Sequence, residues 1–221
     1  MNQLNLSFYV VFLLHITLIG CGRKDNLHAQ KANSVVQSDK IVGGRCEGCE
    51  LYNVDMPSDL TWHTTVNTPD EMGEKLIIEG YLYQKDGISP ASNVIMYLYQ
   101  TTNEGLYTSA VSQKGEVRRH GRLRGWVKTR ADGFYTFSTI RPAPYPNADI
   151  PAHIHPTIKE VGKTAYYIDD YVFEDDVFVT ETYRKKQELR CGSGIIALKK
   201  DSSGTWHGKR NLIVGLNIPN Y

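Results

Sequence analysis

Between residues 75 and 218 the chain keeps repeating one local signal, and that signal narrows the choice of fold more than anything else in it. Short runs of alternating, β-branched and aromatic residues are separated by glycine turns. Residues 75–83 run into a Lys85-Asp86-Gly87 turn, residues 93–100 and 125–129 read as further strands, and Ala131-Asp132-Gly133 turns into a strand over 134–140. Segments 165–173, 176–182, 194–199 and 212–218 continue the series, while 185–190 reads as a short helix or a loop. Long apolar runs at helical spacing are scarce and tyrosines number 14, which favours strands. The expectation is an all-β fold, a β-sandwich of mostly antiparallel strands. At 221 residues, 41% hydrophobic and with a net charge of +1, the chain can bury one good core, and its charge points to neither nucleic acid nor acidic partners.

The chain before this region reads differently. Residues 6–20 are apolar except for Ser7, His15 and Thr17, too short a run for a comfortable membrane span, and they end in Leu18-Ile19-Gly20-Cys21. That ending resembles a bacterial lipobox, so residues 1–21 are expected to be a lipoprotein-type signal segment, with lipidated Cys21 anchoring an exported chain to a membrane at the periplasm or cell surface. No Lys or Arg precedes the apolar run, so only the terminal amine supplies the usual positive end. A plain cleaved signal or a short anchor is the alternative. Residues 22–40 turn polar and read as a tether, leaving 41–221 as the folded domain. That domain starts with a Cys-x-x-Cys segment, Cys46-Glu47-Gly48-Cys49. Only Cys191 remains as a further thiol for zinc, and the βαβ pattern of a thioredoxin-like site is absent. A disulfide suits an exported chain, either Cys46 to Cys49 or one of them to Cys191.

The chemistry is concentrated in residues 144–155, where one phenol and two imidazoles fall within a dozen residues. If 152–156 runs as a strand, the period of two puts His153 and His155 on one face, able to share a cation. Tyr145 stands between Pro144 and Pro146, which aim its ring from a stiff turn. A phenolate ligand calls for a strongly acidic cation, and Fe(III) suits it better than Zn(II).

Upstream of this block runs Asp132-Gly133-Phe134-Tyr135-Thr136-Phe137-Ser138-Thr139-Ile140-Arg141-Pro142, then Pro144-Tyr145-Pro146, then Pro151-Ala152-His153-Ile154-His155. The whole stretch resembles the intradiol ring-cleavage dioxygenases, the family of protocatechuate 3,4-dioxygenase and catechol 1,2-dioxygenase. The resemblance extends from about residue 76 to the C-terminus. Tyr107, in Glu104-Gly105-Leu106-Tyr107, fits the place of the family's other tyrosine ligand. The resemblance implies a β-sandwich with the metal site at one edge. It implies Fe(III) bound by Tyr107, Tyr145, His153 and His155 with a water-derived hydroxide as fifth ligand, and O2 as co-substrate. A small aromatic diol of the catechol class would displace Tyr145 and the hydroxide, which accept its protons. The ring would open between the hydroxyl-bearing carbons to a muconate-type diacid.

Two positions depart from the family pattern. Ile150 stands where an arginine is usual, and Asp170 aligns with a substrate-side glutamine. Arg141, or an arginine of the basic run 118–124, is a candidate substitute for the missing arginine, although such a run is more commonly a solvated loop. These departures keep open a non-enzymatic reading, an iron-binding sandwich at the cell surface. A cupin-like metal site is a further alternative: His153-x-His155 followed by Glu160, with His207 and Asn211 downstream, echoes the spacing of that fold's two motifs. The glycines and proline that usually flank those motifs are missing.

Overall fold

The protein is described as a computed structural model covering residues 38–221. The signal segment, Cys21 and nearly all of the tether lie outside the described residues. The strands are β1 (His63–Thr65), β2 (Lys75–Tyr83), β3 (Ile95–Gln100), β4 (Arg124–Lys128), β5 (Phe134–Ile140), β6 (His153–Lys159), β7 (Tyr166–Tyr167), β8 (Tyr171–Phe173), β9 (Ile195–Ile196), β10 (Leu198–Lys200), β11 (Trp206–Lys209) and β12 (Leu212–Ile213). They form two six-stranded sheets. The first runs β1-β5-β2-β11-β10 with β12 beside β2, and the second runs β4-β3-β6-β8-β9 with β7 beside β6. The longest pairings, β2 with β5 and β3 with β4 and β6, are antiparallel. Parallel pairing is confined to β1–β5, β2–β11, β2–β12 and β8–β9.

Alternation builds the core. On β2 the side chains of Leu76, Ile78 and Leu82 are fully buried while their neighbours are less so, as a half-buried strand requires. They meet Tyr135 and Phe137 of β5 and, from the second sheet, Met96, Leu98, Ile154, Ile158, Tyr171 and Phe173 in one cluster. Each large apolar side chain so buried contributes about 1.5–3 kcal/mol. A polar link crosses the sandwich: the Tyr135 hydroxyl lies 2.8 Å from that of Tyr171 and donates to the carbonyl of Arg210. Burying phenols is tolerable only with such partners. Gly80 makes room for the same carbonyl, since a Cβ there would stand 1.8 Å from it.

Several expected strands are shorter or absent. Over 176–182 the Asp176 carboxylate accepts from the Phe178 and Ala152 amides, and Thr180 caps a short helix, α1 (Glu181–Lys185). Asp and Thr thus give the backbone local partners in place of a ladder. Segment 165–173 is broken because the carboxylate of Asp169 takes the amides of Leu189 and Arg190. Segment 194–199 is two strands, one on each sheet. Beyond Ile213 the chain turns through Gly215 and Asn217, both at positive φ. Strands β1 and β11 are short and lack clear alternation, so no local sequence signal marks them.

Cys46 and Cys49 form the disulfide, and Cys191 is a buried free thiol. The disulfide segment and its following 3-10 turn (Cys49–Asn53) attach to the outer face of the second sheet, where the Trp126 indole donates to the Tyr52 carbonyl. A second 3-10 turn (Gly115–His120) meets them there, with the Arg119 guanidinium reaching Glu47 and Glu50.

Candidate metal centre

His153 and His155 occupy the start of β6, and because Ile154 and Ile158 face the core, the two imidazoles emerge on the opposite face of the sheet. Their Nε2 atoms are 3.1 Å apart. The Tyr145 hydroxyl is 3.2 Å from Nε2 of His153 and 3.5 Å from Nε2 of His155. The hydroxyl of Tyr107 is 2.9 Å from that of Tyr145. All four side chains singled out from sequence therefore meet at one point, two from a strand and two from loops. The loops are locked together: Gly105, at φ 76°, abuts the 144–146 turn so closely that a Cβ would lie 2.0 Å from the Pro144 carbonyl oxygen. One glycine thus sets the spacing of both phenols.

The back of each imidazole is tied. Nδ1 of His153 lies 2.7 Å from the Pro151 carbonyl, and Nδ1 of His155 lies 2.9 Å from the Asp170 carboxylate. Burial alone would raise the Asp170 carboxyl, but the charges and hydrogen bonds of His155, with His153 and Arg210 beyond, hold it below its ordinary value. An ionised carboxylate and a carbonyl can only accept, so both Nδ1 atoms carry the proton and both Nε2 atoms present lone pairs to the same point. Burial, aided by His155, also pushes the His153 imidazole down, away from the cationic form. Burial raises both phenols, Tyr107 further by its contact with Tyr145. Two facing lone pairs and two phenol oxygens within hydrogen-bond distance form one donor set, and its composition, two nitrogens and two oxygens able to become anionic, fits a hard trivalent ion.

A cleft of about 340 Å³ opens over the cluster, walled by Glu47, Gly48, Tyr99, Tyr107, Arg119, His120, Tyr145 and His155. Tyr99 stands across from His155 in the β3–β6 register and stacks on its ring at 4.6 Å. His120 stacks in turn on Tyr99, 3.7 Å between centroids and 2° from parallel. Burial pushes the His120 imidazole down to about 4, so it is neutral at ordinary pH. Tyr99, His120 and the disulfide loop were not legible as site residues in the sequence. Alternation on β3 marks Tyr99 as outward-facing, but nothing local says that β6 lies beside it. A cavity of about 390 Å³ over Glu79, Lys199, His207 and Lys209 gathers no such donor set: His207 is bound to Asp201 and Lys209 to Glu79.

The alternative readings fare differently. The cupin-like set is not assembled: Glu160 is taken up by the Tyr166 and Tyr221 hydroxyls and Lys163, His207 pairs with Asp201 on the other sheet, and Asn211 accepts the Tyr81 amide. Asp170, expected on the substrate side, instead holds His155 from behind. Ile150 is 40% exposed. Arg141 is no substitute for an arginine there, because Asp175 holds it bidentately over the rings of Phe173 and Trp206. Of the basic run, Arg122 pairs with Glu71 and Arg124 with Asp55, while Arg119 and His120 reach the cleft.

Comparison with known proteins gives a consistent picture. The family model described as Dioxygenase matches residues 49–191. The protocatechuate 3,4-dioxygenase beta chain of Burkholderia cepacia is 32% identical over 103 residues, 44% of this chain and 43% of that one, so the match spans less than half of the relative's length. Among solved structures, the dioxygenase domain of a dioxygenase carbohydrate-binding protein fusion from Streptomyces sp. SirexAA-E aligns with a TM-score of 0.53 at 20% identity, covering 72% of this chain and 91% of that domain. 3-Chlorocatechol 1,2-dioxygenase from Rhodococcus opacus 1CP aligns with a TM-score of 0.51 at 20% identity, over 72% of this chain and 67% of that one. An intradiol ring-cleavage dioxygenase from Tetranychus urticae gives 0.51 at 19% identity, over 80% and 93%. At these identities the structures speak for a shared fold.

Proposed function

The chain belongs to the intradiol dioxygenase family, and from that membership we propose that it is a non-haem Fe(III) enzyme that opens a catechol-type ring between its two hydroxyl-bearing carbons, both atoms of O2 entering a muconate-type diacid. The observation that carries this reading is the convergence of the Tyr107 and Tyr145 hydroxyls with the two Nε2 atoms of His153 and His155, each imidazole tied from behind. These four residues are proposed as the metal ligands. Ferric iron held there would supply Lewis acidity, which would favour the doubly deprotonated diol. Two phenolates offset most of the charge of such an ion. Tyr145, whose hydroxyl lies 3.2 and 3.5 Å from the two Nε2 atoms, would be one of the groups holding the ion, and its Oη is proposed as the acceptor of one diol proton. Pro151 and Asp170 hold the imidazoles in place while this happens, and Tyr99 backs His155.

The test is incubation of ferric-loaded protein with a panel of catechols under 18O2. Two labelled oxygens in a ring-opened diacid are expected. Iron and catechol binding with no cleavage of any catechol would leave instead an iron-binding module, the reading that Ile150 and Asp170 favour as departures from the family pattern. Residues 1–21 supply the second part of the proposal, export and a lipid anchor at Cys21. Cys21→Ser is expected to shift the protein out of the membrane fraction; unchanged fractionation and processing overturns that part.

A further inference from the structure

Resting on the ring-cleavage reading, we propose that His120 sets which ring substituent the enzyme accepts: its Nε2–H donates a hydrogen bond to a neutral oxygen acceptor on the catechol ring, on the side away from the diol. His120 is 4% exposed, lines the cleft, and is held on two sides. Tyr99 lies flat against one face. Nδ1 is 2.9 Å from the Tyr97 hydroxyl. Nδ1 is the one acceptor that the Tyr97 hydroxyl has among the described residues, so the Tyr97 proton goes to Nδ1 and the imidazole proton resides on Nε2. Nε2 has no hydrogen-bond partner among the described residues. Gly48 of the disulfide loop lies close to this edge, where a Cβ would come within 2.8 Å of Nε2, so a side chain there would close the edge off from the cleft. Nε2 is not shut away from solvent, since among the described residues Arg210 Nε is the one buried side-chain polar atom without a partner, so a ligand acceptor can take the place of water there.

Position and charge define the ligand group. The stack His155, Tyr99, His120 has centroid spacings of 4.6 and 3.7 Å, so His120 stands two ring layers from the donor cluster, too far for the reacting diol and suited to a substituent. Arg119 is the cleft's cation, but Glu47, Glu50 and Glu116 all pair with it at 3.1–3.4 Å, leaving no net positive charge to draw a carboxylate. A carbonyl or ether oxygen answers a neutral N–H without meeting those carboxylates. The substrates favoured are therefore catechols bearing a neutral acyl, amide or ether group, ahead of alkyl-substituted or carboxylated ones.

The experiment measures binding, without oxygen, of 3,4-dihydroxybenzamide, 4-methylcatechol and 3,4-dihydroxybenzoate to ferric-loaded protein, by the shift of the visible band and by calorimetry. Wild type is expected to prefer the amide over the other two. In His120→Phe, which keeps a stacking ring without a donor, the amide-to-methyl affinity ratio should fall roughly five- to ten-fold. Taking the ratio cancels the different acidities of the two diols. His120→Gln, which keeps an N–H, should recover part of the preference. An unchanged ratio in His120→Phe overturns the assignment. So does an equal weakening of both ligands, which marks His120 as scaffold. Wild type that binds none of the three diols overturns the ring-cleavage reading itself and this inference with it.

Discussion

Nδ1 of His155 and a carboxylate oxygen of Asp170 lie 2.9 Å apart, and this contact leaves Nε2 of His155 free to face the three other donor atoms of the cluster. An imidazole without it could rotate or exchange tautomers, each of which removes a ligand atom. Asp170→Ala is therefore expected to weaken ferric binding roughly ten- to a hundred-fold, and Asp170→Asn, which keeps an acceptor but not its charge, by less. Competition with a chelator of known affinity measures both, and equal affinity in all three proteins would show that the carboxylate orients nothing.

The phenols and Glu160 can be separated by colour. A tyrosinate bound to Fe(III) gives a visible charge-transfer band, so Tyr145→Phe should diminish it and a Tyr107→Phe, Tyr145→Phe double variant should abolish it. Glu160→Gln should keep both iron and colour, because the carboxylate serves Tyr166, Tyr221 and Lys163 elsewhere on the fold. Its cost should appear as stability, about 1–3 kcal/mol in a denaturant titration of the metal-free protein. A surviving band in the double variant would exclude both tyrosines as ligands.

Gly105 couples the two tyrosine-bearing loops. With φ at 76° and a virtual Cβ 2.0 Å from the Pro144 carbonyl oxygen, Gly105→Ala must push the loops apart. The expected outcome is a lower iron content and a weaker band. Thermal unfolding should fall only modestly, since the core strands are untouched. Full iron occupancy in this variant would mean that the phenols find each other without the contact.

His120 makes a further prediction, for the metal-free protein. Its pKa is lowered from 6.5 to about 4, first by burial and then by the charges of His155, Arg119 and Arg124. Between those two values the unfolded chain binds a proton that the folded chain refuses, so stability rises with pH across the window and is lost as pH falls through it. Partial solvent screening leaves a contribution on the order of 1–2 kcal/mol. Urea titrations from pH 4 to 7 should show this slope in wild type and a smaller one in His120→Gln; parallel curves would disprove it.

What could be read from sequence was whatever depends on near neighbours. Alternation from Lys75 to Tyr83 and from Phe134 to Ile140 marks strands because a period of two is a local property. The same period sends His153 and His155 to one face, and prolines on both sides of Tyr145 stiffen its turn without help from the rest of the fold. Motif order alone singled out Tyr107. The remaining features depend on which distant segments come to lie side by side. Whether Cys46 pairs with Cys49 or Cys191 was open until the fold placed Cys191 in the core. Tyr99 backs His155 because β3 and β6 pair in one particular register across more than fifty residues. Asp170 could be aligned, but its task depended on the direction in which β8 brings it to β6. His120 sits in a run that reads as a charged loop, and it became part of the cleft only when the disulfide segment folded over the same sheet face. Periodicity encodes which way a side chain points along its own strand, whereas its neighbours are decided by register and loop packing, which are properties of the whole chain.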